Sequence, residues 1–232
     1  MKALSGFLVV SAATLVVSPA LWGGTLQQVL ASMDRAAQDF KAMSANIERV
    51  AHTAVINQND IERGTMRFKR ASPHDVRARI DLVEPDPKSA AVQGGKAELY
   101  YPKINTVQEY DMGKNRELFD QYMLLGFGVS GKELGANYEL RVLGEEQVNG
   151  QKTTRLELIP KSQQVQQHLK KVELWISEAT GNPARQKLFL TAGDYNLMTF
   201  SDVKINPKLS DGDLKLKLPK GVKREYPNQA RR

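Results

Sequence analysis

The sequence predicts a mainly β protein with some α: a strongly curved antiparallel sheet, an open half-barrel, with an N-terminal helix and inserted lid helices over its concave apolar face. Three observations predict it. From Ala45 onward the apolar residues recur with a period of two. Turn pairs punctuate that pattern at Gly94-Gly95, Asn149-Gly150, Gly181-Asn182 and Gly193-Asp194. The long alternating helices that a parallel sheet needs are missing.

The elements follow in chain order. Lys2 and the apolar run Leu4 to Val17 read as a signal peptide over 1–20, too short to span a bilayer. Ser18, Pro19 and Ala20 offer small residues for cleavage, expected between 20 and 24. An exported mature chain, outside the cytoplasm, follows. Thr25 is placed to cap an amphipathic helix running to Met43, with Leu26, Val29, Leu30, Met33, Ala37 and Phe40 on one face. "SANIERVAHTAVI" and "IERGTMRFKR" read as strands joined by a turn at "NQND". "DVRARIDLV" alternates, with Val76, Ala78, Ile80 and Leu82 on one face, and "EPDPKS" stops it. Strand-sized runs continue from "KAELYYP" to "NLMTFSDVKI". One stretch interrupts them, "GKNRELFDQYMLLGFGVSGKELGAN", with helical spacing at Leu118, Phe119, Tyr122, Met123 and Phe127. Residues 24–226 form one domain in this reading, and 227–232 a basic tail.

Composition excludes several chemistries. There is no cysteine among the 232 residues, hence no disulfide, thiolate metal site, catalytic thiol or lipidated N-terminal cysteine. The formal net charge is +7, but the cations are interspersed with acids, so no nucleic-acid partner is expected. "GFGVSG" at Gly126, Gly128 and Gly131 fits G-x-G-x-x-G, and Gly126 to Lys132 nearly fits a phosphate loop. Glu133 stands where the magnesium-binding hydroxyl belongs, and the preceding residues are helical in spacing, so no nucleotide is expected. These glycines are expected to end a helix. His52, His74 and His168 lie far apart, and Ser130 fails the G-x-S-x-G pattern. The expectation is a non-enzyme with no catalytic residue, no metal and no cofactor.

The order of features resembles one known family. An export signal and the helix "LQQVLASMDRAAQDFKAMSANIERV" are followed by "GTMRFKRASPHDVRARI", "GGKAELYYPKINTVQEYD", the inserted segment, and "KVELWISEATGNPARQKLFLTAGDYNLMTFSDVKINPKL" ending in "LKLPKGVK". Together they resemble the periplasmic lipoprotein-carrier proteins of the LolA type. The resemblance implies a half-barrel enclosing an apolar cavity for acyl chains. It implies acylated lipoproteins as cargo, an inner-membrane ATP-driven complex as donor, an outer-membrane acceptor, and a monomer. It maps a lid-holding arginine onto Arg70, whose guanidinium fork suits backbone carbonyls. The cavity wall is then expected from Met66, Phe68, Val76, Ala78, Ile80, Leu99, Tyr101, Leu174, Ile176, Leu188 and Leu197. Leu30, Met33, Phe40, Tyr122, Met123, Leu125 and Phe127 are expected to close it, and Trp175 and Phe189 to lie outside or at a seam. Two other readings stay open: a lipid-sensing regulatory protein of the same fold, and an envelope lipid hydrolase pairing Ser130 with a histidine.

Overall fold

The structure is a computed structural model and describes residues 25–72, 75–113 and 125–227. The expected signal peptide, the lid positions Tyr122 and Met123, His74 and the end of the basic tail lie outside the described residues.

Helix α1 spans Leu26–Gln38, with Thr25 and Gln28 forming a reciprocal capping box. It ends earlier than its periodicity suggests. The Asn206 side chain donates to the Asp39 carbonyl and accepts from the N–H groups of Lys41 and Ala42, at 2.7, 2.7 and 3.1 Å. That bracket closes the helix and starts β1 (Ala42–Thr53). Phe40 stands in the link with its ring turned into the core.

The strands continue as β2 (Gln58–Ser72), β3 (Asp75–Glu84), β4 (Lys88–Gln93), β5 (Lys96–Tyr101) and β6 (Thr106–Asp111). After the inserted segment come α2 (Gly131–Asn137), β7 (Tyr138–Val148), β8 (Gln151–Pro160), the single-turn helix α3 (Gln163–Gln166), β9 (Leu169–Ser177), β10 (Pro183–Leu190), β11 (Tyr195–Ile205) and β12 (Lys223–Glu225). They form one twelve-stranded sheet in the order β12-β6-β5-β4-β3-β2-β1-β11-β10-β9-β8-β7. All neighbours are antiparallel except β12, which returns parallel to β6. The order is linear, so the sheet is an open half-barrel and not a closed one. Chain order folds β1–β6 outward from one side of β1 and β7–β11 inward from the far edge. The helices lie over the hollow.

One turn differs from expectation. The β1–β2 connection is a 3-10 turn at Ala54–Ile56 closed by Asn57 at φ +47°, while "QND" already belongs to β2. Asparagine tolerates the left-handed conformation, and Asp194 accepts from the Ala54 N–H at 2.8 Å. The same device recurs at Pro102–Ile104 with Asn105 at φ +46°. The Asn149-Gly150 pair has φ values of 50° and 74°, as a type I′ hairpin requires.

The apolar interior divides in two. One cluster gathers Phe40, Met43, Ala45, Ile47, Met66, Phe68, Val76, Ala78, Leu82, Phe127 and Phe200 over β1–β3 and β11. The other joins Val29 and Met33 of α1 and Leu134 of α2 to Leu125 and to the inner faces of β7–β9. On the opposite face, Trp175 packs with Val148, Ala184 and Leu197.

Candidate functional site

The concave face changes character along the sheet. Over β1–β3 it is filled by four phenylalanines: Phe127 lies 5.1 Å from Phe200, 5.9 Å from Phe68 and 6.5 Å from Phe40, centroid to centroid. Beyond them, toward β5, a cavity of about 350 Å³ opens. Its apolar wall is Ile47, Ile80, Leu82, Ala90, Leu99, Tyr101 and Met198, and Arg49, Lys88 and Ser89 complete it. The strand register explains the room. Met66, Ile80, Ala90 and Leu99 are consecutive cross-strand partners, and so are Ile47, Gly64 and Leu82. Ala90 and Gly64 are the small members of those rows. At Gly64 the backbones of β2 and β3 nearly touch: a Cβ there would come 1.9 Å from the Asp81 carbonyl oxygen. The ladder skips a residue beside it, which bends the sheet.

One end of the cavity is charged. Glu62 is buried on the concave face and forms ion pairs with both Arg49 and Lys88. Arg49 also donates to the Asn196 side-chain oxygen at 2.6 Å. Burial pushes the Glu62 carboxyl up, but the hydrogen bonds from Lys88 and Arg49 outweigh it and hold the group below its usual value.

Arg70 ties down the inserted segment. Its Nη2 donates to the Gly128 carbonyl at 2.8 Å, while its buried Nε has no partner. Gly128 has φ +66°, and a Cβ there would come 2.2 Å from Phe40 Cδ1, so only glycine allows the chain to lie this close on the ring. A second tie runs from the Gly131 N–H to the Asp34 carboxylate of α1 at 2.7 Å. The glycines of "GFGVSG" therefore serve close packing. The residues from Leu125 to Ser130 are turn and coil, where helical spacing had extended to Phe127. Ser130 is the N-cap of α2: its hydroxyl accepts from the Glu133 N–H at 3.1 Å and donates to the Glu133 carboxylate at 3.0 Å. His52 stacks on Tyr195 at 4.6 Å and bonds Asn59, and His168 is exposed.

The expected wall residues separate into three groups. Ile80, Leu99 and Tyr101 line the cavity. Met66, Phe68, Val76 and Ala78 lie in the phenylalanine cluster beside it, with Phe40 and Phe127. Leu174 and Ile176 are instead fully buried beneath α1, with Leu188, Leu30, Met33 and Leu125 in the same packed cluster. Leu197 corrects the face assignment on β11: it packs against the Trp175 cluster on the convex side, and its neighbour Met198 faces the cavity. The pairing decides this, since Met198 is opposite Arg49 and Gln186 while Leu197 is opposite Val50 and Lys187. Trp175 and Phe189 lie outside as expected, each flanked by two cations: Arg155 and Arg185 at Trp175, Lys171 and Lys187 at Phe189. Sequence reading missed Ile47, Arg49, Leu82, Lys88, Ala90 and Met198. Parity along β1 and β2 carried the signal, because Arg49 and Glu62 are in phase with Ile47 and Met66.

No family model and no curated protein matches the chain. Solved structures do. An uncharacterized conserved protein from Thermus thermophilus is similar over 86% of this chain and 98% of its own, at 14% identity and a TM-score of 0.50. The open sheet with a helix in its hollow is the half-barrel arrangement expected from the sequence. A LolA superfamily protein from Nitrosomonas europaea aligns over 82% of this chain and 97% of its own, at 15% identity and a TM-score of 0.39. MucB aligns over 82% of this chain at 16% identity and a TM-score of 0.49, and the chain spans only 62% of MucB's length. At 14% identity the likeness to the Thermus thermophilus structure is one of fold alone. Among the described residues, no helix is long and apolar enough to cross a membrane, and no three His, Cys, Asp or Glu side chains gather as a metal site.

Proposed function

We propose that this protein is an envelope carrier that shelters the acyl chains of lipoproteins between the inner and outer membranes. The observation that carries the reading is the apolar cavity of about 350 Å³ within the concave face, inside the usual range of about 300–1,000 Å³ for ligand pockets. A methylene is of the same order of size as a water molecule, whose share of liquid volume is about 30 Å³, so the cavity accepts on the order of twelve carbons. At about 0.8 kcal/mol per buried methylene, such a chain gains roughly 10 kcal/mol. That gain requires a dry wall, which the seven apolar residues supply.

The residues divide the task. Ile80, Leu99, Tyr101 and Met198 hold the chain. Phe127 divides the cavity from the helix-covered half, and the Arg70 hydrogen bond to Gly128 keeps it there. A neutral hydrogen bond contributes about 0.5–1.5 kcal/mol net and a charged one about twice that, so the closed state is favoured only modestly. Longer or additional chains displace Phe127 together with the segment from Leu125 to Ser130 that carries it. The leader-like first 20 residues route the chain to the periplasm, where an ATP-driven inner-membrane complex loads it and an outer-membrane acceptor unloads it. No catalytic step is required.

Mass spectrometry of protein purified from the periplasm tests the proposal. Acylated lipoprotein bound stoichiometrically is expected, and its loss in an Ile80→Asp variant that still folds. A ligand-free protein that also fails to take up a lipopeptide from detergent would overturn it.

A further inference from the structure

The charged end of the cavity is not needed to hold a plain acyl chain. A triacylated lipoprotein anchor presents esters and an amide there, none of them anionic. Yet Arg49 and Lys88 converge on this wall, and among the described residues Glu62 is the ion-pair partner of both. On the convex face Arg155 reaches Glu146 and Glu173, and Lys171 reaches Glu157 and Glu173, so these two cations each meet two carboxylates, while Arg185 and Lys187 beside them lie against aromatic rings. Asp86, whose charge also reaches Lys88, is itself paired with Lys103 on an exposed loop. The cavity end therefore carries one positive charge in excess, beside a wall that is otherwise apolar.

We infer that this cavity binds a single-chain amphiphile with an anionic head, the tail among Ile80, Leu99 and Met198 and the head on Arg49 and Lys88. The inference rests on the acyl-binding reading for its tail half and adds the head-group subsite. Arginine suits the head because its planar fork retains N–H groups after pairing with Glu62 and Asn196. Glu62 sets the strength of the subsite by competing for both cations. It also keeps them from lying unpaired in an apolar wall when no ligand is bound.

Calorimetric titration of the full chain with laurate, methyl laurate and dodecyl phosphate tests this. Laurate is expected to bind about tenfold or more tightly than methyl laurate, the worth of one charge-assisted hydrogen bond. Glu62→Gln should tighten laurate severalfold and leave methyl laurate unchanged. Lys88→Gln should weaken laurate alone, and Lys88→Arg should restore it. A preference for laurate over dodecyl phosphate identifies a fatty acid as the source, and the reverse a lysophospholipid. Equal affinity for laurate and its ester in the unaltered protein overturns the head-group subsite and leaves the acyl cavity standing. Failure of both to bind overturns the two together.

Discussion

The two halves of the sheet present similar apolar faces and use them differently. Over β7–β9 the face is covered: Leu156, Leu158, Val172 and Leu174 are fully buried, with α1 and α2 across them. Over β3–β5 the comparable face carries Ile80, Leu99 and Tyr101, each only partly buried, and helix α1 does not reach it. Alternation decides which side chains share a face. What lies across from that face depends on where a thirteen-residue helix ends, and here Asn206 ends it. One half is thus core in the ordinary sense, and over the other no α-helix among the described residues is packed.

Paired truncations test that contrast most strongly. Leu174→Ala should cost about 2–5 kcal/mol of stability, as deletion from a close-packed site does. Leu99→Ala should cost less than about 1 kcal/mol, because its side chain faces space already open. Urea denaturation of both variants reads the difference. Equal losses would mean that the β3–β5 face is packed as tightly as the other, and the cavity would lose its meaning.

Much of the fold was legible in the residues, and less of the site. The period-two pattern, the Asn149-Gly150 hairpin and the Thr25 cap are local signals, and each appears where expected. The face of β11 was not legible, because Leu197 and Met198 are both large and apolar and only strand pairing distinguishes them. The role of Leu174 escaped for a related reason: a buried leucine in a core and one in a cavity wall have the same sequence signature. Arg49 and Lys88 were not singled out, since their convergence on Glu62 joins residues that lie apart in the chain. Arg70 was found through family resemblance, and its bond to Gly128 gives that position a definite geometry.

The boundary between the halves is the segment from Leu125 to Ser130, and it can be lifted from either side. Gly128→Ala meets both a left-handed backbone and a ring contact of 2.2 Å, and should cost about 1–3 kcal/mol. Limited proteolysis should then cleave near Val129 severalfold faster. Arg70→Leu removes one half-buried charged hydrogen bond and should cost about 1.5 kcal/mol, the low end for such a bond. Arg70→Lys should recover only part of it, since lysine lacks the fork. If the proposed carrier role holds, both changes speed acyl release, and Gly128→Ala does so more. Unchanged release with intact folding would detach the segment from any gating role.

The smallest effect concerns acid, and it compares the two buried carboxylates. Glu62 is paired with the cavity residues Arg49 and Lys88 in the open half, and Glu173 lies on the convex side of the covered half. At both, burial pushes the carboxyl up, and hydrogen bonds from two cations outweigh it, leaving each below the usual 4.5. A depressed folded-state value means the unfolded chain binds the proton more readily. The stabilisation is therefore present above the unfolded value and is lost as pH falls through the folded one. Urea midpoints should stay level from neutral pH down to about 5 and fall below the usual value of 4.5. Glu62→Gln should shallow that fall by removing one titrating group, while added salt should change it little because the pairs are sheltered. Laurate, if it docks on Arg49 and Lys88, should shift the midpoint upward in the unaltered protein and by more in Glu62→Gln. A midpoint that rises on acidification would show that neither carboxylate is held by its cations.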